Sequence, residues 1–250
     1  MHAPQERFRR LSPPGGQFER RKRFYAEVDS QPVNGGFSVR LDGRTPKSPT
    51  GAPLVLPTAA LARAVADEWA AQTAEVDLNT MPLTRLAWGA LSLDEQHRAV
   101  AAEQITAFAG SDLLCYFADG PAGLVDREQR RWGPVIDWAE AALGVRFHRT
   151  QGIVHQPQPS DTLARIGVLA RSEDDFALVS LAAAAGLFGS AILAFALRRG
   201  ELTAEAAYEL SRLDETFQEE RWGVDEEAAA RTARLRHEAV TLERWFQALG

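Results

Sequence analysis

One cysteine, Cys115, stands in a chain of 250 residues. That excludes a disulfide framework and any zinc site built on cysteine thiolates. An excess of positive charge is missing too: 28 Lys and Arg against 34 Asp and Glu leave a net charge of −6. Nucleic acid is therefore not the expected partner, because phosphate binding needs a basic stripe. The five histidines are His2, His97, His148, His155 and His237, and no two stand at the spacing of metal ligands. His148 and His155 flank an extended segment and read as structural or exposed. HExxH, GxSxG, phosphate-loop and dinucleotide-glycine patterns are all absent. No catalytic, cofactor-binding or metal-ligating residue is assigned, and the chain is not expected to be an enzyme.

Basic residues concentrate only at the start, where Arg7, Arg9, Arg10, Arg20, Arg21, Lys22 and Arg23 face Glu6 and Glu19 alone. Pro13-Pro14-Gly15-Gly16 interrupts them, and the serine content and amphipathic stripe of a mitochondrial transit peptide are lacking. No apolar signal region follows, so a cytoplasmic location is expected, or the matrix in a mitochondrial relative. Residues 1–23 form a basic N-terminal segment ahead of two domains.

The expected fold class is α+β: a small, strand-rich α+β domain over 24–82, then a larger all-helical domain over 83–250. Strands are predicted at 24–28, at 37–41 and at 54–56, the second alternating apolar and polar residues. Asp42-Gly43 signals a tight hairpin turn, since both positions tolerate positive φ. Residues 44–47 would return from it, with Pro46 demoting them to a sheet edge. Thr58 caps a helix to about Gln72, with Leu61, Val65 and Trp69 on its core face.

Beyond Leu83 the pattern is helical. Ser92-Leu93-Asp94-Glu95 reads as a capping box for a helix carrying Val100, Ile105 and Phe108 inward. A helical pair is predicted over 124–143, broken at Pro134 and closed by Gly144. Ser160 and Ser172 are expected to start two more helices, and 224–249 forms the last, with Ala228, Leu235, Ala239, Leu242, Phe246 and Leu249 at helical spacing. Residues 176–197 carry no charge. Their length would suit a membrane span, yet alanine and glycine dominate and no aromatic belt flanks them. They are read instead as the buried centre of the helical domain, broken near Gly186 and Gly189, without membrane insertion.

The stretch 202–225, LTAEAAYELSRLDETFQEERWGVD, concentrates the most information. Ala206, Leu210, Leu213 and Phe217 fall on one helical stripe. The other face carries Glu209, Arg212, Asp214, Glu215, Gln218, Glu219, Glu220 and Arg221, and runs into Trp222-Gly223 and a second acidic cluster from Asp225. This is either a solvated face or a docking surface. Asp214 and Glu215 point about 100° apart and make a poor acid/base pair. Glu215 and Glu219 lie one turn apart, but two carboxylates without histidine make a weak metal site.

Four stretches taken in order, 37–46, 65–72, 81–86 and 211–218 running into Trp222-Gly223, resemble the family of assembly chaperones for the alpha subunit of F-type ATP synthase, found in mitochondria and alphaproteobacteria. Residues 111–116 and 132–138 are similar to that family as well. The resemblance implies a two-domain chaperone that binds the unassembled alpha subunit, prevents its aggregation and hands it over for assembly with the beta subunit. It implies partner contact at Asp214, Glu215, Gln218, Glu219, Trp222, Gly223 and Asp225. Mitochondrial relatives follow Trp-Gly with a His-Asp pair, where this chain has Asp225-Glu226-Glu227, which suggests the bacterial branch. A monomer without cofactor is expected. The alternatives are a metal-dependent hydrolase using the acidic stretch, or a helical protein that binds a small ligand.

Overall fold

The structure, a computed structural model, describes residues 20–152, 154–223 and 226–250, leaving aside the side chains of 226–228. Two compact units divide between Gln96 and His97, and the last four residues, 247–250, belong with the first unit.

In the first unit, β1 (Arg21–Lys22) pairs antiparallel with β5 (Glu75–Val76), and Arg20 reaches Asp77 at 2.9 Å. A three-stranded antiparallel sheet runs β2 (Val28–Val33), β3 (Gly36–Leu41), β4 (Val55–Leu56). The strand expected at 24–28 begins where that prediction stopped. β2 hid because five of its six residues are exposed and no apolar alternation survives. Its hairpin to β3 turns at Asn34-Gly35, with Val33 paired to Gly36. Asp42 and Gly43 do take positive φ, 48° and 75°. Their turn closes only the single bridge Leu41–Arg44, not a returning strand.

Helix α1 (Ala59–Ala70) starts at Thr58, whose hydroxyl accepts from the Leu61 amide at 3.1 Å and donates to the Ala248 carbonyl. Its inward face holds Leu61, Val65 and Trp69. The Trp69 ring meets Tyr25 and Trp88 edge-on, at centroid distances of 5.7 and 6.4 Å. Helix α2 (Pro82–Leu91) has no cap from its own N-cap residue, Met81. Glu68 supplies it from α1: one carboxylate oxygen accepts from Leu83 N, the other from Thr84 N and Oγ1, each at 2.8 Å. Ser92 ends α2 rather than starting its successor.

The second unit holds most of α3 (Glu95–Gly110), which turns Ala101, Ala102, Ile105 and Ala109 inward. Val100 stays exposed against expectation, because small residues make this helix face and let neighbours approach closely. Helix α4 (Ala122–Leu143) is continuous for 22 residues. Pro134 sits inside it on the exposed side, as does Arg130, whose carbonyl loses its helical donor, so water can take that bond. Gly144 ends it at φ 68°, ψ 47°, the left-handed position suited to glycine.

Helix α5 (Ser160–Ser172) ends at the serine expected to begin the next helix. Asp174 caps α6 (Asp175–Phe188) instead. Gly186 lies within α6, and the break comes at Gly189, φ 64°, before Ser190 caps α7 (Ala191–Arg198). Buried Asp112 braces this corner, accepting from Ser190 Oγ at 2.7 Å and Ile192 N at 3.0 Å. All seven residues 191–197 are buried, so the uncharged run is the centre of the unit. Among the described residues no helix is long and apolar enough to cross a membrane. Among the described residues, a parallel pair, β6 (Tyr116–Phe117) with β7 (Thr150–Gln151), is the strand content this unit adds to an otherwise helical pattern.

Candidate protein-docking surface

The stretch 202–222 folds as two helices, α8 (Ala204–Ser211) and α9 (Leu213–Trp222). Thr203 caps α8 through its side chain, and the break falls at Arg212, φ −116°, ψ 17°. The apolar stripe reads through this break: Leu210, Leu213 and Phe217 are buried, while Ala206 is half-buried.

Both helices lie against α4, and the seam is a ladder of paired side chains. Arg127 makes a two-pronged bond to Glu220 at 2.9 and 2.8 Å. Arg131 reaches Glu209 at 3.0 Å, and the Trp132 indole N–H donates to the Leu210 carbonyl at 3.0 Å. Within α9, Arg212 bonds Glu215 at 2.8 Å and lies 3.7 Å from Glu219. The Arg127 and Arg221 guanidinium groups stand 5.0 and 4.3 Å from the centroid of the Phe217 ring. The bond from Arg127 holds Glu220 below the usual carboxylate range. The acidic face is thus largely neutralised within the chain, where the sequence suggested carboxylates open to a partner.

The expected contact residues fall into three groups. Asp214 is half-buried and faces the buried carboxyl of Glu128 on α4. Glu215 and Glu219 face Arg212. Gln218 is exposed and Trp222 is 87% exposed, the largest uncovered apolar side chain among the described residues. Gly223 ends α9 at φ 85°, donating its N–H to the Glu219 carbonyl at 2.9 Å, and a side chain there would meet open space. Asp225 lies outside the described residues.

Glu219 also faces an open groove of about 500 Å³ beside α10 (Glu226–Leu249). Ala229, Thr232, Ala233 and Val240 supply its small, mostly apolar lining, with Arg236 and His237 completing it. Arg236 is held by Glu205 at 3.1 Å. The predicted core stripe of α10 is buried only toward its C-terminal end, at Ala239, Leu242 and Phe246, together with Trp245; Leu235 is half-buried and Leu249 likewise. Ala228 lies outside the described side chains. No group of three or more metal-ligating side chains occurs among the described residues.

Sequence reasoning missed Glu128, Arg127 and Arg131. Their signal was present as a stripe, 124, 127, 128, 131 and 132, at helical spacing on α4. Only the structure shows which helix that stripe meets.

Comparison with known proteins follows the same outline. The family described as ATP12 chaperone protein matches residues 22–140. The mitochondrial protein atp12 of Schizosaccharomyces pombe is 26% identical over 219 residues, 83% of this chain and 75% of that protein. The crystal structure of Atp12 from Paracoccus denitrificans has a TM-score of 0.86 and 39% identity, spanning 92% of this chain and 98% of that one. The Atu1473 protein of Agrobacterium tumefaciens also gives a TM-score of 0.86, at 40% identity over 92% of this chain and 87% of that one.

Proposed function

The chain belongs to the ATP12 chaperone family, and from that premise we propose that it binds the unassembled alpha subunit of F-type ATP synthase and keeps it from aggregating until the beta subunit takes it. One observation carries the choice of surface. On α9 the glutamates Glu215, Glu219 and Glu220 are paired to arginines of the same chain, while Trp222 is left 87% exposed. An uncovered tryptophan at the end of a braced helix is suited to anchoring another protein. An unpaired subunit exposes an apolar assembly face, and covering that face removes the species that aggregates. The effect needs only mass action, with no nucleotide.

Gln218, Glu219, Trp222 and Gly223 form the contact surface in this reading, while Asp214 acts by seating α9 and Glu215 by holding Arg212 at its start. Recognition is then mainly apolar, and release follows from competition by the beta subunit for overlapping surface. Turbidity of isolated alpha subunit, followed with and without one equivalent of this protein and no nucleotide, tests the reading. Suppression is expected; an unchanged rate of aggregation would sink it.

A further inference from the structure

Behind the paired arginines, α4 and α9 meet at two carboxyl groups. Glu128 is fully buried, and its Oε2 accepts from the Ala118 amide at 2.8 Å. Glu128 Oε1 and Asp214 Oδ1 are both buried, and no N–H or hydroxyl donor reaches either. The two carboxyl groups face one another across the seam, and each acts on the other's titration. A bond between two carboxyl groups requires a proton on one of them, because an ionised carboxylate only accepts.

The surrounding cations are engaged elsewhere. Arg127 and Arg131 of α4 bond Glu220 and Glu209. Arg212 at the start of α9 bonds Glu215, and Arg221 stands over the Phe217 ring. From the segment before α4 the contact is the Ala118 amide, and Asp119 beside it is a further acid. Trp132, one turn along α4, gives its N–H to Leu210 of α8.

We propose that Glu128 and Asp214 share a single proton, and that this buried bond is a latch setting, through pH, how firmly α9 is held on α4. Burial and the facing carboxyl push Glu128 up to about 7, and burial raises Asp214. When the proton leaves to solvent, two carboxylates face each other with no unengaged cation beside them among the described residues, and repulsion favours lifting α9. The sign follows from linkage: the seated helix keeps a proton that the lifted helix gives up at ordinary carboxylate pH. Seating is therefore strongest in mild acid and weakens as pH rises toward 7. The consequence for client binding rests on the docking reading above; the latch itself does not.

Carboxyl carbon NMR titration of the full chain tests the shared proton. One proton retained to about pH 7 is expected. Both groups ionising below about pH 5, as free carboxyls do, would overturn the proposal. Hydrogen exchange, corrected for intrinsic rates, tests the latch. Protection of α9 amides should fall up to about tenfold per pH unit between about 5 and 7, then level off. A Glu128→Gln chain, whose amide donates without titrating, should lose that slope, as should Asp214→Asn if the first variant fails to fold. A wild-type profile with no slope overturns the latch. Affinity for alpha subunit that ignores pH while the NMR and exchange signatures persist refutes docking through α9 and leaves the latch standing.

Discussion

Trp222 and Trp69 carry the same side chain, one 87% exposed and the other 4%. Helical spacing placed Trp69 on a core stripe with Leu61 and Val65, and it sits there. Trp222 lies outside the stripe of Leu213 and Phe217, and Gly223 ends the helix directly after it. Removing Trp222 should thus leave the fold almost untouched: Trp222→Ala is expected to shift stability by no more than about 0.5 kcal/mol. If it anchors the alpha subunit, the same change costs about 2 kcal/mol of binding, roughly 30-fold in affinity. Paired urea titrations and affinity measurements check both halves, and a large stability loss would assign the ring to packing. The charged neighbours were less legible. Glu209 and Glu220 look like free acids in the sequence, since the arginines that bind them stand 78 and 93 residues earlier on α4.

Among the elements, the joint between α1 and α2 explains why two separate stretches of the family resemblance, 65–72 and 81–86, belong together. Glu68 from the first closes the bare N-terminus of the helix that the second begins, and three donors converge on its carboxylate. A carboxylate there also suits the positive end of the helix dipole. Glu68→Ala should therefore cost about 2–3 kcal/mol, more than a surface glutamate, because buried Thr84 loses its acceptor. A lowered urea midpoint for the first unit is expected, and an unchanged midpoint would show that water replaces the cap. Helix ends written in local chemistry, such as Thr58 and Gly144, were readable in advance. Ends fixed by distant partners were not: α2 is capped from another helix, and β2 pairs through its backbone while its side chains face solvent. Pro134 misled for a related reason, because the break it threatened is relieved on an exposed helix face.

At the scale of the molecule, the small residues and glycines of the uncharged run at 176–197 pointed to a buried helix broken near its middle. They fold as two short helices joined at Gly189, the centre of a helical unit. The same centre packs against α4 and α8, and α4 in turn holds α9, so the exposed end of α9 extends from a braced base. Shielding another polypeptide by presenting such a surface requires no bond to be made or broken in the client. The most direct measurement is stoichiometric: purified alpha subunit mixed with this protein, and with its Trp222→Ala variant, resolved by size without nucleotide. A discrete complex with the wild-type chain, depleted in the variant, is the predicted result. Alpha subunit that elutes alone or as aggregate in both mixtures would contradict the account.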